Sequence, residues 1–219
     1  DAGATYSTVC PLCYVNIPDA AFKTALLANA LINTNSNGEI ECSEATAYAG
    51  IINVPNLGIS NLTGIEAFVN ITSLNCSDNL LSSIDVSSNI QLTELRCHGN
   101  LISNIDATAL TNLTKLFCWA NNLTSINTTG LVNLLELRCD VNNLTTIDVS
   151  TNTSLTGLVC FSNSLSTIDV TNNPLLTQLV FDSNPISNID ISNNLNITEF
   201  ACGGTNITAL DLSQQTALS

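Results

Sequence analysis

The sequence is poor in basic and aromatic residues and contains no methionine. Four Lys plus Arg stand against 18 Asp plus Glu, which gives a formal net charge of -14 over 219 residues. Nucleic acids and anionic membrane surfaces are both recognised by clusters of basic residues, so this balance argues against either as a partner. It suits a soluble extracellular protein that self-repulsion keeps dispersed.

Long apolar runs are also missing. A membrane-spanning helix needs about 18 or more consecutive apolar residues, and the most apolar stretch, residues 20–32, is interrupted by Lys23 and Asn29. We therefore predict no insertion into a membrane. The start at Asp1, without a signal peptide, is typical of a processed or trimmed chain.

One pattern returns every 21 residues. Its consensus is L-T-x-L-x-C-x-x-N-x-L-[ST]-x-I-D-V-[ST]-x-N, and a 22-residue variant, residues 49–70, precedes it. Seven copies begin at Ile71, Leu92, Leu113, Leu134, Leu155, Leu176 and Ile197, and a truncated eighth begins at Leu218. A fixed period of roughly 20–29 residues is the signature of leucine-rich repeats. We predict a leucine-rich-repeat solenoid over residues 49–219, with a parallel strand face and short β or turn segments on the opposite face.

Six of the nine cysteines occupy the same position of the repeat. They are Cys76, Cys97, Cys118, Cys139, Cys160 and Cys202, and Phe181 fills the corresponding position in the remaining copy. A position that accepts either Cys or Phe is predicted to be buried, where thiols behave as small hydrophobic groups. Zinc ligands instead converge from short CxxC-type spacings. Cys10, Cys13 and Cys42 lie outside the repeats, and the sequence leaves open whether they are paired or reduced.

The residues before the repeats predict a small helical cap. Residues 1–16 are interpreted as an irregular lead-in, and residues 17–48 as the cap. Pro18 and Asp19 indicate a helix start, with Asp19 as the N-cap. The expected apolar stripe is Phe22, Leu26, Leu27, Ala30 and Leu31. A second short helix is predicted at residues 43–49.

The segment between these helices, residues 33–44, matches the 12-residue loop of an EF-hand. Gly38 lies at the sharp turn, and the candidate ligands are Asn33, Asn35, Asn37, Glu39, Glu41 and Glu44. This spacing places oxygen atoms around one Ca²⁺ ion. Three positions often held by Asp are Asn here, so the expected site is weak, structural and dependent on millimolar calcium. The alternative is a turn that holds no ion.

These residues resemble the extracellular leucine-rich repeats of bacterial surface proteins. The EF-hand-like cap followed by a 22-residue repeat is similar to the internalin arrangement, and the Cys-containing 21-residue copies are similar to repeats of secreted Bacteroidetes proteins. The resemblance implies a secreted or surface-attached bacterial module for recognition or adhesion. Two features depart from it: internalins favour Leu where these repeats carry Cys, and no carboxyl-terminal cap follows. We therefore expect the native chain to continue, because an open end would expose its core.

Partner specificity is expected where the copies differ. On the predicted strands the third, fifth and seventh positions point outward, and they hold three of the four basic residues, the only His and the only Trp. The candidate ligand-binding residues are Glu94, Arg96, His98, Lys115, Phe117, Trp119, Glu136, Arg138, Asp140 and Phe161. Exposed aromatic groups with a polar rim are typical of binding sites. The partner is predicted to be an extracellular protein anchored on Trp119 and the arginines, or a polysaccharide stacked on Trp119. Mutual compensation of the charges is the structural alternative.

Regular rows of polar side chains lead to further interpretations. An outward row of acidic groups predicts either local hydrogen bonds or bound calcium: Asp85, Asp106, Asp148, Asp169, Asp190 and Asp211, with Asn127 substituting once. Regular hydroxyl rows keep binding to ice or another regular surface as an alternative function, although Ser and Thr are ordinary turn residues. The first row is Thr72, Thr93, Thr114, Thr156, Thr177 and Thr198; the second is Ser82, Ser103, Thr124, Thr145, Ser166, Ser187 and Thr208. A structural spacer within a larger surface protein is the remaining alternative.

Catalysis is the interpretation that the sequence favours least. Hydrolysis needs paired acids, or a nucleophile next to a base. His98 and Asp140 lie two copies apart, so about 10 Å is expected between their backbones, with Trp119 between them. We predict that the protein is not an enzyme.

Overall fold

The full repeats each contribute one short strand to a parallel sheet. The computed structural model describes residues 13–218; Cys10 and Ser219, both included in the sequence predictions, lie outside these residues. The strands are β1 (Ile51–Asn53), β2 (Ser73–Asn75), β3 (Glu94–Arg96), β4 (Asn104–Asp106), β5 (Lys115–Phe117), β6 (Ser125–Asn127), β7 (Glu136–Arg138), β8 (Gly157–Val159), β9 (Gln178–Val180) and β10 (Glu199–Ala201). Eight of them form one sheet in the order β1-β2-β3-β5-β7-β8-β9-β10, and β4 pairs with β6 in a second sheet. The predicted solenoid fold is confirmed.

The register of the sheet superimposes equivalent positions of neighbouring copies. Leu95 on β3 aligns with Leu116 on β5, which aligns with Leu137 on β7, and all three side chains are fully buried. In a strand, successive side chains alternate between faces. The residues on either side of each Leu therefore lie on the outer surface of the sheet.

The cysteine position is part of the core, as predicted. Cys76, Cys97, Cys118, Cys139 and Cys160 are fully buried, while Cys202, in the last full copy, is partly buried. Burial raises the pKa of the Cys97 thiol to about 12 and likewise raises that of Cys118. The thiols therefore stay neutral near pH 7 and pack as small hydrophobic groups.

An asparagine ladder joins successive copies just after the strands. The Asn121 amide nitrogen donates to the carbonyl oxygens of Cys97 (3.0 Å) and Cys118 (3.1 Å), and its side-chain oxygen accepts from the Ile102 amide (3.0 Å). Asn100 makes the equivalent bonds one copy earlier. These bonds satisfy backbone groups where the strand ladder ends, which is the structural role that the sequence predicts.

The eighth position of the repeat has left-handed backbone geometry, a feature that the sequence did not reveal. Its residues, all with positive φ, are Asp78, Gly99, Ala120, Val141, Ser162, Ser183 and Gly204. In each copy, this conformation turns the chain away from the sheet just after the strand. At Gly99 a Cβ would lie 2.3 Å from a carboxylate oxygen of Asp78, so a larger residue there would displace the Asp78 side chain.

The cap contains two short helices, α1 (Ala20–Leu27) and α2 (Cys42–Ala47). Asp19 is the N-cap of α1 and accepts from the amides of Ala21 and Phe22, each at 3.0 Å, as predicted. Its other oxygen accepts from the Ser60 amide at 2.9 Å. One carboxylate therefore both caps the helix and fixes it to the first repeat.

The predicted apolar stripe of α1 is wrong at its end. Phe22 and Leu26 are buried, but Ala30 is exposed and Leu31 is 75% exposed, while Ile32 enters the core instead. The physical reason is Asn29, whose side-chain oxygen accepts from the Leu31 amide at 3.0 Å. Such local side-chain bonds compete with helical ones, so the helix ends at Leu27.

A disulfide joins Cys13 to Cys42 and settles a pairing that the sequence left open. Next to it, the Val15 amide donates to the Ile40 carbonyl (2.8 Å), and the Cys42 amide donates to the Cys13 carbonyl (2.7 Å). Residues 13–15 thus pair with the cap in an antiparallel bridge, whereas the sequence predicted an irregular lead-in. Within residues 13–218 no helix has the length and apolarity to cross a bilayer.

Candidate functional site on the strand face

The strands β3, β5 and β7 bring most of the predicted ligand-binding residues together. Glu94, Lys115 and Glu136 form one row across these strands, and Arg96, Phe117 and Arg138 form the next. The seventh positions lie just beyond the strand ends, and Phe161 belongs to the copy that contains β8. We call the region formed by the ten candidate residues the Trp119 patch.

Each basic residue of the Trp119 patch has an acidic neighbour. Arg96 pairs with Glu94 on its own strand, and Lys115 Nζ lies 3.3 Å from an Oε atom of Glu136 on the adjacent strand. Arg138 Nε lies 3.7 Å from Asp140 Oδ1. The alternative predicted from sequence, mutual compensation of charges, therefore occurs.

The indole of Trp119 is enclosed on both faces. The His98 ring stacks on it with a centroid separation of 3.7 Å and an interplanar angle of 11°. The guanidinium carbon of Arg138 lies 4.7 Å from the indole centroid. Because β3 and β7 flank β5, these two groups occupy opposite sides of the ring. Trp119 is half-buried, and its edge is the part available to a partner.

Phe117 is less accessible than the sequence indicates. It lies on the outer side of β5, but only 8% of it is exposed. The Arg96 guanidinium carbon lies 5.3 Å from its centroid, and the Trp119 ring lies 5.8 Å away at a tilt of 59°. The expectation of an exposed Phe117 is wrong, because these long neighbouring side chains cover the ring. Phe117 packs against the Trp119 ring and supports it.

Asp140 is almost fully buried, with 2% exposed, so it acts on Arg138 rather than on solvent. Burial raises the pKa of the Asp140 carboxyl, and the positive charge of Arg138 opposes that shift. Burial also lowers the pKa of His98, although the Asp78 carboxylate 3.8 Å away opposes the shift. His98 is therefore neutral near pH 7 and stacks on Trp119 as an uncharged ring.

Three buried polar atoms around the indole have no hydrogen bond within 3.5 Å in the described residues: His98 Nδ1, and the pair Arg138 Nε and Asp140 Oδ1, which face each other at 3.7 Å as an ion pair. A buried polar atom without a partner, as His98 Nδ1 is here, typically costs about 1–3 kcal/mol. The Trp119 patch is therefore a region where the fold leaves buried polar atoms without full hydrogen bonding. The sequence analysis did not include Asp78 in the site. Asp78 is an acidic residue at the turn position of the copy before the one that carries His98, and that position could have indicated it.

The EF-hand-like loop is held together largely by its own side chains. The Asn35 and Asn37 amides donate to Glu41 at 3.0 and 2.5 Å, and Glu39 pairs with Lys23 at 2.6 Å. One further candidate ligand, Asn33, is 8% exposed, and its side-chain oxygen has no partner within the described residues.

Glu44 closes the loop by capping α2. Its oxygens accept from the amide and hydroxyl of Thr34, both at 2.8 Å, and from the Glu41 amide at 3.1 Å. Burial alone would raise the pKa of Glu44, but the hydrogen bonds from Glu41 and Thr34 outweigh it and lower the pKa to about 2. An ionised carboxylate, amide oxygens and the free Asn33 oxygen are donors that suit Ca²⁺. In residues 13–218, no group of three or more His, Cys, Asp or Glu side chains is arranged to hold a metal ion.

The outward aspartate row makes local hydrogen bonds. Asp169 Oδ1 accepts from the Thr171 amide (2.9 Å) and hydroxyl (2.6 Å), and these bonds lower the pKa of Asp169. The equivalent backbone bond is made by Asp85, Asp106, Asp148, Asp190 and Asp211. This is the Asx-type turn that the sequence offered as one of its two alternatives.

The first threonine row also bonds to the backbone. The hydroxyl of Thr114 donates to the Thr93 carbonyl at 2.9 Å, and Thr93 donates likewise to Thr72 at 3.0 Å. Thr156, Thr177 and Thr198 repeat the contact along the solenoid. The hydroxyl protons are therefore used inside the protein, and the hydroxyl oxygens face outward as acceptors.

The fold is that of a leucine-rich-repeat solenoid, and its structural neighbours include internalins. Internalin C2 of Listeria monocytogenes matches 92% of this chain over 91% of its own length, with a TM-score of 0.77 and 25% identity. The functional domain of InlJ from the same organism, described as including a cysteine ladder, matches 95% of this chain with a TM-score of 0.62 and 24% identity. A leucine-rich-repeat protein of Leptospira interrogans matches 76% with a TM-score of 0.71 and 22% identity. This chain spans 57% of the InlJ domain and 46% of the Leptospira protein. No protein-family model and no curated protein sequence match the chain significantly.

Proposed function

We propose that the protein is a non-enzymatic recognition or adhesion module that binds an extracellular protein through the Trp119 patch. The observation that carries the proposal is the Trp119 indole fixed between His98 and Arg138. A ring held in this way loses little conformational freedom on binding. Tryptophan and arginine are also the side chains that most often dominate protein interfaces. The leucine-rich-repeat neighbours are consistent with a general role in protein interaction.

A protein partner fits this geometry better than a stacked sugar. A sugar ring would need a free face of the indole, and both faces are occupied, by His98 and by Arg138. A protein can instead contact the exposed edge of Trp119 and accept hydrogen bonds from the guanidinium groups of Arg96 and Arg138. The same geometry offers no catalytic pair, since Trp119 separates His98 from Asp140 and the thiols of the core stay protonated.

We also propose that the protein acts outside a bacterial cell, secreted or attached to the surface. The Cys13–Cys42 disulfide supports this location, because disulfides persist in oxidising compartments. The acidic charge supports it further by keeping the molecule soluble.

Replacement of the tryptophan tests the proposed interface. Immobilised wild-type protein, Trp119→Ala and Leu31→Ala are each incubated with an extracellular-matrix extract, and retained proteins are quantified by mass spectrometry. Leu31 is 75% exposed in the cap, so Leu31→Ala is the matched loss of an exposed apolar side chain. We expect one or more proteins to be retained by wild type and Leu31→Ala and reduced roughly 30-fold or more by Trp119→Ala, as for an interface hot spot.

The direct confirmation uses the retained protein in purified form. Its affinity for wild type and Trp119→Ala is measured by calorimetry, with thermal melts to show that both are folded. Equal affinity for the two would place the interface elsewhere. Retention of the same proteins by all three immobilised chains would do so as well.

A further inference from the structure

A second surface of the solenoid differs from the rest of the molecule by having no charge. Between the aspartate row and the next strand, six consecutive copies each contain eight residues without Asp, Glu, Lys or Arg: residues 86–93, 107–114, 128–135, 149–156, 170–177 and 191–198. We call the outer surface of these segments the uncharged flank. Charged residues make up 10% of the chain, and the net charge is -14, so a wholly neutral surface along six copies is a distinct feature.

The uncharged flank is apolar as well as neutral. Ile90, Val132, Leu175 and Leu195 lie on it, and each is about half exposed. Leu135, at a position otherwise held by threonine, is 39% exposed. Ile90, Val132 and Leu195 share one position of the repeat, with Thr111, Thr153 and Pro174 in the copies between them, and Leu175 lies one position later. Exposed apolar groups therefore recur along the flank, although they are not continuous.

A shallow, open groove of about 490 Å³ lies on this flank and crosses several successive copies, in the direction of the solenoid axis. One wall is formed by Gln91, Asn112 and Asn133, and the other by Thr93, Thr114 and Leu135. Because neighbouring copies are about 4.8 Å apart, both walls repeat at that interval. The shape fits one extended polymer chain lying across several copies.

The walls of the groove present both oxygen acceptors and amide N–H donors. The hydroxyl protons of Thr93 and Thr114 bond to backbone carbonyls, so their oxygens are left to accept. Asn112 and Asn133 each use an amide proton on the carbonyl of the preceding copy, at 3.1 Å, while their side-chain oxygens accept no bond within residues 13–218. The second amide proton of Asn112 and of Asn133 stays free in the described part of the chain, as does the Gln91 amide, so a complementary ligand must both donate and accept hydrogen bonds.

We propose that the uncharged flank binds a neutral polysaccharide chain along the solenoid axis. Sugar hydroxyls donate to the threonine and asparagine oxygens, and the apolar faces of the rings cover the exposed leucine, isoleucine and valine side chains. Each sugar hydroxyl can both donate and accept, so it matches a surface that presents amide N–H groups beside oxygen acceptors. An anionic polysaccharide is disfavoured because the flank has no cation and the molecule carries a charge of -14.

Affinity electrophoresis tests this proposal with defined probes. Native gels contain hydroxyethyl cellulose, xyloglucan or glucomannan as neutral polysaccharides, and alginate as the anionic control. We expect wild-type protein to be retarded by at least one neutral polysaccharide and not by alginate. Thr114→Arg, which fills the groove, should weaken retardation about tenfold, the equivalent of about 1.4 kcal/mol.

Two control variants make the result specific. Thr145→Arg adds the same charge at an exposed position outside the groove and should behave as wild type. Trp119→Ala should also be retarded normally, which separates this site from the Trp119 patch. Gln91→Arg provides a second obstruction of the groove in case Thr114→Arg does not fold.

Two outcomes would overturn the proposal. One is no retardation in any of the three neutral gels. The other is equal retardation of Thr114→Arg, Gln91→Arg and Thr145→Arg. An ice-recrystallisation assay on the same proteins tests the other function considered for a regular neutral surface, which is binding to ice. Inhibition that Thr114→Arg abolishes, without retardation in any gel, would assign the flank to ice rather than to a polysaccharide.

Discussion

Val141 is the only β-branched residue in the column of left-handed turn positions, with φ of 55°. A side chain in this region costs roughly 1–2 kcal/mol relative to the right-handed one, and branching at Cβ adds to the strain. Its neighbour Asp140 holds Arg138 against Trp119. The strain at Val141 therefore lies beside the candidate interface, where such conformations are often found.

We expect Val141→Asn to raise the free energy of unfolding by about 1 kcal/mol, because asparagine adopts the left-handed region more readily. Urea denaturation measures the change. Val132→Asn is the matched control: Val132 is similarly exposed but has no positive φ, so its stability should change by less than about 0.5 kcal/mol. Equal shifts in the two variants would show that Val141 is not strained.

The residue scale also shows the limits of inference from sequence. Period and consensus predict which positions face the core, so Leu116 and Cys118 were assigned correctly. They do not predict how neighbouring outward side chains cover one another. Phe117 is buried by Arg96 and Trp119, and the indole is enclosed by His98 and Arg138. Both outcomes depend on rotamers of long side chains from three strands, which no pattern within one copy specifies.

At the scale of the element, the cap loop combines a capping box with a candidate ion site. We propose that it binds Ca²⁺ weakly. Three amide-bearing ligand positions lower the charge of the site, and fewer ligand charges mean lower affinity. The Asn35 and Asn37 amides donate hydrogen bonds to Glu41 and hold it in place.

We expect millimolar calcium to raise the melting temperature relative to an ionic-strength-matched sodium chloride control, and EDTA to reverse the effect. Asn37→Asp should bind more tightly, since it adds a negative ligand and removes the amide that occupies a Glu41 oxygen. Its melting temperature should respond at a lower calcium concentration than that of wild type. If neither protein responds, the loop is a turn that holds no ion.

The elements of the cap were harder to predict than those of the repeats, for a physical reason. The existence of α1 and its N-cap follow from Asp19, whereas its end depends on the competing side chain of Asn29. The Cys13–Cys42 pairing could not be predicted from sequence, because it depends on how residues 13–15 lie against residues 40–42 in the fold. Repetition predicts what every copy shares, and the cap is the part of the chain that is not repeated.

At the scale of the whole molecule, the acidic charge opposes the compact state. Most carboxylates of residues 13–218 lie on the surface, and the aspartate row places like charges in neighbouring copies. Exposed charges repel less when salt shortens the Debye length, from about 30 Å at 0.01 M to about 8 Å at 0.15 M.

We therefore expect the melting temperature to rise with sodium chloride over this range. A gain of 1 kcal/mol corresponds to roughly 2–4 °C for a chain of this size. Choline chloride should give the same rise if screening is the cause. A rise confined to one cation would instead indicate specific ion binding.

The asparagine ladder makes the junctions between the 21-residue copies that carry Asn100, Asn121, Asn142, Asn163 and Asn184 and the copies before them nearly the same. Each of these amides reaches the carbonyl 24 residues earlier, so the contact is set by the repeat length and not by the identity of the copy. In-frame duplication or loss of a 21-residue unit would preserve this junction. Recombination within the gene can therefore lengthen or shorten the solenoid, and move the Trp119 patch along its axis, without requiring a new core.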